Sequence, residues 1–450
     1  MKLKVLAFSI LSALTLSACG SDSNDSKKVV TEGKDITVID GYLAGVSVYA
    51  DRNSDGVTDE SELIGVSDDN GIINIPAEDT QYSLIAKVEA GVSADADRVG
   101  AVTKSYSMSA PADMDVITPF TTILNDGIVS VAELAASLNV DETLITGDYI
   151  AAKEGSEEAQ KAHAVAKYLT DVIAEDDEMS SIELVSEIVK VTPAIDEYIN
   201  TNGIESLDSV TFSVENDEVV ANVIHTDLND YLADGGIWHI VSMNKAHTNS
   251  EGVQLAYFNK ESSELTLYDA QEIPSEPMPY TTDGTRLEVE GDFDQFYILT
   301  HDIALSKAGQ VKDVIVWSKS SLFVGGSTLD INVDEFSGKQ WYVINDDSTS
   351  STPDNIYAKF NFGETTLGMT SDVAIDEGAE AWNTQYSIAE KEDEVFGIHK
   401  SLTVQLGDED EPLEFIFMAE SESLKVAYEV NRGMYFVLTT ESSIAQTITN

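Results

Sequence analysis

One cysteine occurs in 450 residues, Cys19. A single thiol forms no intramolecular disulfide, so the fold rests on packing, hydrogen bonds and any bound metal. Basic residues are scarce as well: 25 Lys and Arg stand against 81 Asp and Glu, a net charge of −56. Phosphate backbones and anionic lipid surfaces are gripped by clustered Lys and Arg, so this balance excludes nucleic acid as a partner and argues against electrostatic docking on acidic lipid. Past the first twenty residues no apolar run approaches the roughly 20 residues that cross a bilayer as a helix. Histidine is sparse, at positions 163, 225, 239, 247, 301 and 399, with no His-Glu-x-x-His pattern and no pair four residues apart. A G-x-S-x-G elbow and a phosphate-cradling glycine loop are missing too, so no catalytic residue is nominated. What is present is a globular composition, 42% hydrophobic, under an acidic solvated surface.

The amino-terminal segment has a distinct pattern. Lys2 and Lys4 precede an apolar stretch from Val5 to Leu16, too short to span a bilayer and of the length of a signal-peptide core. It ends in Leu16-Ser17-Ala18-Cys19, which resembles the lipobox of bacterial lipoproteins. That resemblance implies cleavage before Cys19 and acylation of its thiol, anchoring the chain to a membrane by two or more acyl chains, palmitate among them. Gly20 is not the aspartate that retains such proteins at the inner membrane, so the resemblance implies the outer membrane. Residues 20–34 are polar and aperiodic and read as a flexible tether reaching on the order of 20 Å.

The expected fold class is mainly β with a central helical segment. Residues 35–114 read as a β-sandwich: Gly45 to Ala50 alternates, Asp69-Asn70-Gly71 is a hairpin turn, and Ile73 and Ile75 share a face, followed by Tyr82, Leu84 and Ala86 on the next strand. Residues 115–209 read as a helical domain or collar. Ser130 to Glu133 and Ser180 to Glu183 are capping boxes, Asn139 is a stop, and Ala159, Ala162, Ala166, Leu169 and Ile173 step along one helical face. His163 is expected at the boundary of that face. Thr192-Pro193 is expected to end or kink the second long helix. The stretch from Asp115 to Leu124, followed by Gly147-Asp148-Tyr149, resembles a linker-helix element of marine proteobacterial lipoproteins.

Residues 210–330 and 331–450 read as two β-repeats, either barrels or sandwiches. Trp238 matches Trp341; Ala256 to Phe258 match Ala358 to Phe360; Leu265 to Leu267 match Leu367 to Met369; Tyr280 matches Trp382; Phe296 and Ile298 match Phe396 and Ile398. Gly236-Ile237-Trp238 resembles the G-x-W start of lipocalin-type barrels, and the second copy departs as Gly338-Lys339-Gln340-Trp341. In that family the tryptophan closes the barrel floor. His239, on the opposite face of the strand from Trp238, is read as a surface histidine.

One loop has the spacing of an oxygen cage. Asp51, Asn53, Asp55, Asp59 and Glu62 occupy positions 1, 3, 5, 9 and 12, with Gly56 at 6 and the Val57 carbonyl at 7, the order that wraps Ca²⁺. The flanks are strand-like, which excludes an EF-hand. The segment instead resembles the SdrD B-like and carboxypeptidase-regulatory-like calcium-binding sandwiches of bacterial surface proteins, and that resemblance adds Asp68 as a ligand. A calcium ion there is expected to be structural.

These readings favour a non-catalytic, calcium-stabilised envelope lipoprotein that binds a partner such as another envelope protein, a polysaccharide or a host surface. A lipocalin-like carrier of a hydrophobic small molecule is the second reading, and a secreted hydrolase the third.

Overall fold

A computed structural model describes residues 33–215, 218–244, 252–268, 273–309, 312–348, 354–371, 382–405 and 411–450. Cys19, the signal segment, the tether as far as residue 32, and His247 lie outside the described residues.

The chain enters on β1 (Lys34–Val38), so Lys34 is already paired, opposite Ile75. Then come β2 (Leu43–Ala44), β3 (Ser47–Ala50), β4 (Leu63–Val66), β5 (Ile72–Ile75), β6 (Leu84–Val88), β7 (Ala94–Asp95), β8 (Tyr106–Ala110) and β9 (Val116–Ile117). They form a four-stranded sheet, β4-β3-β6-β8, and a three-stranded one, β5-β1-β9, beside a short β2-β7 pair. The Asn70-Gly71 turn is present, with Gly71 at φ +74, but it is not a hairpin. It carries the chain from β4 in one sheet to β5 in the other, where β5 pairs with β1. Ile73 and Ile75 still alternate inward, because the period of two holds whichever strand is the neighbour.

Helices follow: α1 (Pro119–Leu124), α2 (Val131–Leu138), α3 (Glu142–Thr146), α4 (Glu157–Glu175) and α5 (Ser181–Asn202). Both capping boxes form, Ser130 with Glu133 and Ser180 with Glu183, and Asn139 terminates α2 in the left-handed region at φ 56. Pro193 does not end α5. Thr192 Oγ1 donates to the Ile188 carbonyl at 2.7 Å, and Val189, whose carbonyl loses its usual partner, lies on the solvent-exposed face. A short 3-10 turn, Ile204–Ser209, leads into the hairpin β10 (Val210–Glu215) and β11 (Glu218–Val223). Val210 and Phe212 join the same apolar core as the two sheets and α1–α5, a core that runs from Ile36 to Phe212.

After α6 (Leu228–Asp234), eight antiparallel strands close a barrel: β12 (Ile237–Ser242), β13 (Gln254–Asn259), β14 (Glu264–Tyr268), β15 (Met278–Asp283), β16 (Arg286–Val289), β17 (Asp292–Leu299), β18 (Ile303–Ala308) and β19 (Asp313–Ser318). A second closed barrel repeats the order with β20 (Gln340–Asp346), β21 (Asn355–Phe362), β22 (Thr366–Ser371), β23 (Trp382–Asp393), β24 (Gly397–Val404), β25 (Leu413–Ser421), β26 (Leu424–Glu429) and β27 (Met434–Thr439). Both barrels are therefore closed, with no free sheet edge.

Pairing register corrects the residue-by-residue equivalence. Trp238 lies opposite Ala256, and Trp341 opposite Phe360, so Ala256 corresponds to Phe360 and not to Ala358. Leu265 and Leu367 do correspond, and each pairs with the like member of Phe258 and Phe362. Tyr280 corresponds to Tyr386, because Met278 and Thr384 hold the same place opposite those leucines. Phe296 corresponds to Phe417, each at a bulge that breaks the register. Ile398 instead sits on β24, 69% exposed. The matching slips by two residues on β13 and fails past β14, because the chain from Leu367 to Thr384 is longer than from Leu265 to Met278 and the β23–β24 hairpin is longer than β15–β16.

Each barrel is filled. Trp238, Phe258, Tyr280, Phe296 and Trp317 pack inside the first, and Trp341, Phe362, Tyr386, Phe415 and Phe417 inside the second. The outward faces of β17–β19 and β25–β27 pack on one another through residues such as Ile298, Leu305, Val316, Val426 and Val437. The helix α7 (Ser442–Thr449) adds Ile444, Ala445 and Ile448 to that seam, all fully buried.

Candidate ligand-binding cleft

A cleft of about 690 Å³ opens where the N-terminal sheets, α4, the β10–β11 hairpin and both barrels meet. Its floor begins at the end of β1. Tyr149 donates its hydroxyl to the carbonyls of Ile39 and Asp40 at 3.1 and 3.2 Å, fixing the backbone there. Gly41 follows for a reason of space: a Cβ at this position would fall 2.3 Å from Asp95 Oδ1. The absent side chain lets the end of β7 close on Asp40. In the turn after β7 Asp95 Oδ1 accepts from the Asp97 amide at 2.9 Å, and Arg98 follows. Arg98 stands between two carboxylates, its Nε 3.5 Å from Asp95 Oδ2 and its Nη2 3.6 Å from Asp171 Oδ1 on α4.

The walls are tied to one another. Glu422, in the β25–β26 turn at φ 53, accepts from the hydroxyl of Thr103 and from the His301 amide at 3.2 Å. Ser423 donates to the Thr103 carbonyl at 2.7 Å, and Ser421 Oγ accepts from the Asp302 amide at 3.1 Å. One turn of the second barrel thus bonds to the N-terminal sheets and to the first barrel.

Electrostatics single out the floor. Asp40 is 1% exposed, and neither carboxylate oxygen meets a hydrogen-bond partner among the described residues. Burial, followed by the neighbouring Asp95, pushes its carboxyl well above the ordinary range. Burial likewise raises Asp95, to about 6, with Asp97 adding to the effect and Arg98 opposing it. The Nε of Arg98 also lacks a hydrogen-bond partner among the described residues. Around the opening, nine carboxylates stand against four Lys and Arg side chains. Lys104, Lys319 and Lys425 each already face an acid, respectively Glu175 at 3.2 Å, Asp302 at 3.9 Å, and Glu335 at 2.8 Å.

Behind the floor, His163 is 1% exposed and not at a boundary. Its Nε2 lies 2.5 Å from Asp97 Oδ2, its Nδ1 3.0 Å from Lys153 Nζ, and its ring stacks on Tyr149 at 5.9 Å. Burial holds its pKa below the usual value, so the neutral ring donates to Asp97 and accepts from Lys153. Helical spacing put His163 beside the apolar stripe without showing that Asp97 would meet it from another element. His239 is half-buried, edge-on to Phe323 at 5.6 Å, with its pKa lowered by burial.

The calcium loop is a separate place. Asp51 accepts from the amides of Asp55 and Gly56, both at 3.1 Å, Asp55 from Val57 at 2.8 Å, and Gly56 takes φ +72. Glu62 is 3% exposed; Oε1 accepts from the Arg52 amide at 2.9 Å, while Oε2 is buried without a partner among the described residues. That orphaned oxygen and the buried Asp51 fit a cation at this loop. Asn53 and Asp55 join them, linked by a 2.9 Å hydrogen bond; Asp59 turns to Ser61, and Asp68 accepts from the Asn70 and Ile72 amides within its own turn. Among the described residues no group of three or more His, Cys, Asp or Glu side chains stands ready to hold a metal, and in this structure the loop's own amides bond to the carboxylates of Asp51, Asp55 and Glu62.

The residues of the cleft are scattered from Asp40 to Lys425 among 81 acids, which hides it from a reading of the sequence alone. A signal existed in Asp95-Ala96-Asp97-Arg98, which carries one of only four arginines in the chain. No protein-family model, curated protein or solved structure matches this chain.

Proposed function

We propose that the chain is a non-catalytic binding protein, lipid-anchored at Cys19 to the outer membrane, whose ligand site is the cleft above Asp40. One observation carries this reading: Asp40, whose buried carboxylate has no hydrogen-bond partner among the described residues, lines a cavity of ligand size, built jointly by elements from every part of the described chain. Such a group costs stability in the empty protein, and a ligand that engages it repays that cost. The volume suits a compact polar molecule rather than a polysaccharide or a protein surface.

The packed aromatic interiors favour scaffolding over a hydrophobic carrier. The same rings that would line a carrier's cavity touch one another, as Phe258 and Tyr280 do at 5.2 Å and Phe362 and Tyr386 at 4.9 Å. A hydrolase finds little support at the cleft. His225 and His301 bond to Asp234 and Asp302, and no serine or threonine hydroxyl reaches either ring among the described residues. A structural calcium at Asp51 to Glu62 completes the proposal, holding the loop between β3 and β4.

A thermal-shift screen of small metabolites on the wild type and on Ala174→Trp, which fills the cleft from α4, tests the site. Compounds that raise the wild-type melting temperature should lose their effect in the variant. A hit list unchanged by the tryptophan would place binding elsewhere. Labelling with radioactive palmitate, lost in Cys19→Ala, tests the anchor.

A further inference from the structure

We propose that the ligand of this cleft is a compact organic cation, an amine or guanidine whose charged head sits against Asp40; this rests on the binding reading above. The geometry is specific about sign. The floor faces titratable groups from three directions: Asp95 at the end of β7 with Asp97 and Arg98 in the turn that follows, the neutral Tyr106 on β8 with Tyr149 from the segment after α3, and Lys167 and Asp171 on α4. With Asp40 counted, four carboxylates share the fixed positive charge of Arg98 and Lys167. Lys167 does not neutralise Asp40 by contact, since its Nζ donates to the Leu207 carbonyl at 2.8 Å. Arg98 is held towards Asp95 and Asp171. Asp40 is therefore left with two ways to be satisfied, a proton or a cation from outside.

An anion is disfavoured twice, by the acidic rim and by the floor. A bare metal ion would leave most of a cleft of about 690 Å³ unfilled. The walls point to a cation with a carbon frame. Val99, Ala174 and Val223 line the cleft with accessible apolar surface.

The proton supplies the signature. In the empty protein burial keeps Asp40 protonated at pH values where a free aspartate is ionised. A bound ammonium stabilises the carboxylate, so the proton leaves to buffer as the cation enters and affinity rises with pH.

Isothermal titration calorimetry in buffers of different ionisation enthalpy reads both affinity and proton release. Three probes of matched length suffice: 1,5-diaminopentane, pentane-1,5-diol and glutarate. The diamine should bind wild type with release of up to one proton. At pH 7.5, where Asp95 is already ionised, Asp40→Asn, which is isosteric with the protonated acid, should abolish the release and weaken binding by about tenfold or more. Asp171→Asn, at the mouth, should weaken binding less and leave the proton release in place. Binding of the diol or glutarate, lost in Ala174→Trp, with the diamine silent, would overturn the cationic ligand and leave the binding site standing. Diamine binding that Asp40→Asn leaves unchanged also overturns the inference. Silence from all three probes, joined to a blank metabolite screen, removes the binding reading itself.

Discussion

Tyr231 and Trp238 stand with ring centroids 5.4 Å apart and planes inclined at 35°, and Phe336 and Trp341 reproduce both values in the second barrel. The plugs come from different local structure. Tyr231 lies on α6, whereas Phe336 follows the 3-10 turn Val333–Glu335. What is shared is an aromatic ring held across the barrel floor against the first-strand tryptophan. The glycine that makes room in the first barrel is Gly235, where a Cβ would fall 2.3 Å from the Trp238 indole. Gly236, the glycine of the G-x-W pattern, supplies a positive φ and borders open space.

Gly235→Ala is therefore expected to lower stability by about 1–3 kcal/mol through overpacking. Gly338→Ala, with φ +75 and nothing within reach of the new methyl, should cost only about 1 kcal/mol of backbone strain. Urea unfolding of the two variants measures the difference, and equal midpoints would remove the indole contact as the cause.

Asp95 makes stability fall as pH rises. Its folded-state pKa is about 6, against 3.8 for an ordinary aspartate, so between those values the folded protein holds a proton that the unfolded chain has released. The contribution is complete below pH 4 and lost as pH climbs through 6. Asp95→Asn should gain on wild type by about 1–3 kcal/mol between pH 4 and pH 7. A difference between the two proteins that stays flat across that range would show that Asp95 titrates normally.

His163 has the opposite sign. Its pKa is depressed by burial, so the unfolded chain takes up a proton first and stability is lost as pH falls below 6.5. His163→Ala should cost about 3 kcal/mol at pH 7.5, from the cavity and the loss of Asp97's partner, and less at pH 5. An NMR titration in which the His163 ring protonates at or above pH 6.5 would contradict this account.

Calcium, if bound between Asp51 and Glu62, stabilises the fold by mass action. At a hundredfold excess over its Kd the gain is about 2.7 kcal/mol. EGTA should lower the melting temperature of the wild type and leave Glu62→Gln unmoved. A wild type indifferent to chelation would leave the orphaned Oε2 of Glu62 without this explanation.

Local rules made the helices and strands readable. The Ser130 and Ser180 boxes, the αL Asn139 and the alternation of Ile73 and Ile75 each depend on residues within one element, where periodicity and capping chemistry decide. Pro193 was misleading because a neighbouring hydroxyl and an exposed carbonyl removed its penalty. The Asn70-Gly71 turn fixed a reversal but not a partner, which depends on β1 more than thirty residues earlier. Barrel equivalence was legible at Trp238 and Leu265, slipped by two residues between them at Ala256, and was lost past Leu265, where the second repeat lengthens. The floor of the cleft stayed hidden for a different reason. Asp40 and Asp95 become distinctive only through burial, and burial is set by packing between distant segments.

The seam closed by α7 also fixes an order of events. Thr447 donates to the Gly91 carbonyl 356 positions away, and Glu441 accepts from the amide and the hydroxyl of Ser105. A chain made from its amino end can complete the core from Ile36 to Phe212 early, but both barrels keep bare flanks until α7 arrives. Contacts so remote in sequence form slowly, and unfinished barrels meanwhile offer open strand edges to their neighbours. The surplus of carboxylates then acts in time as well as in space: mutual repulsion keeps half-built copies apart through the interval before the clasp shuts.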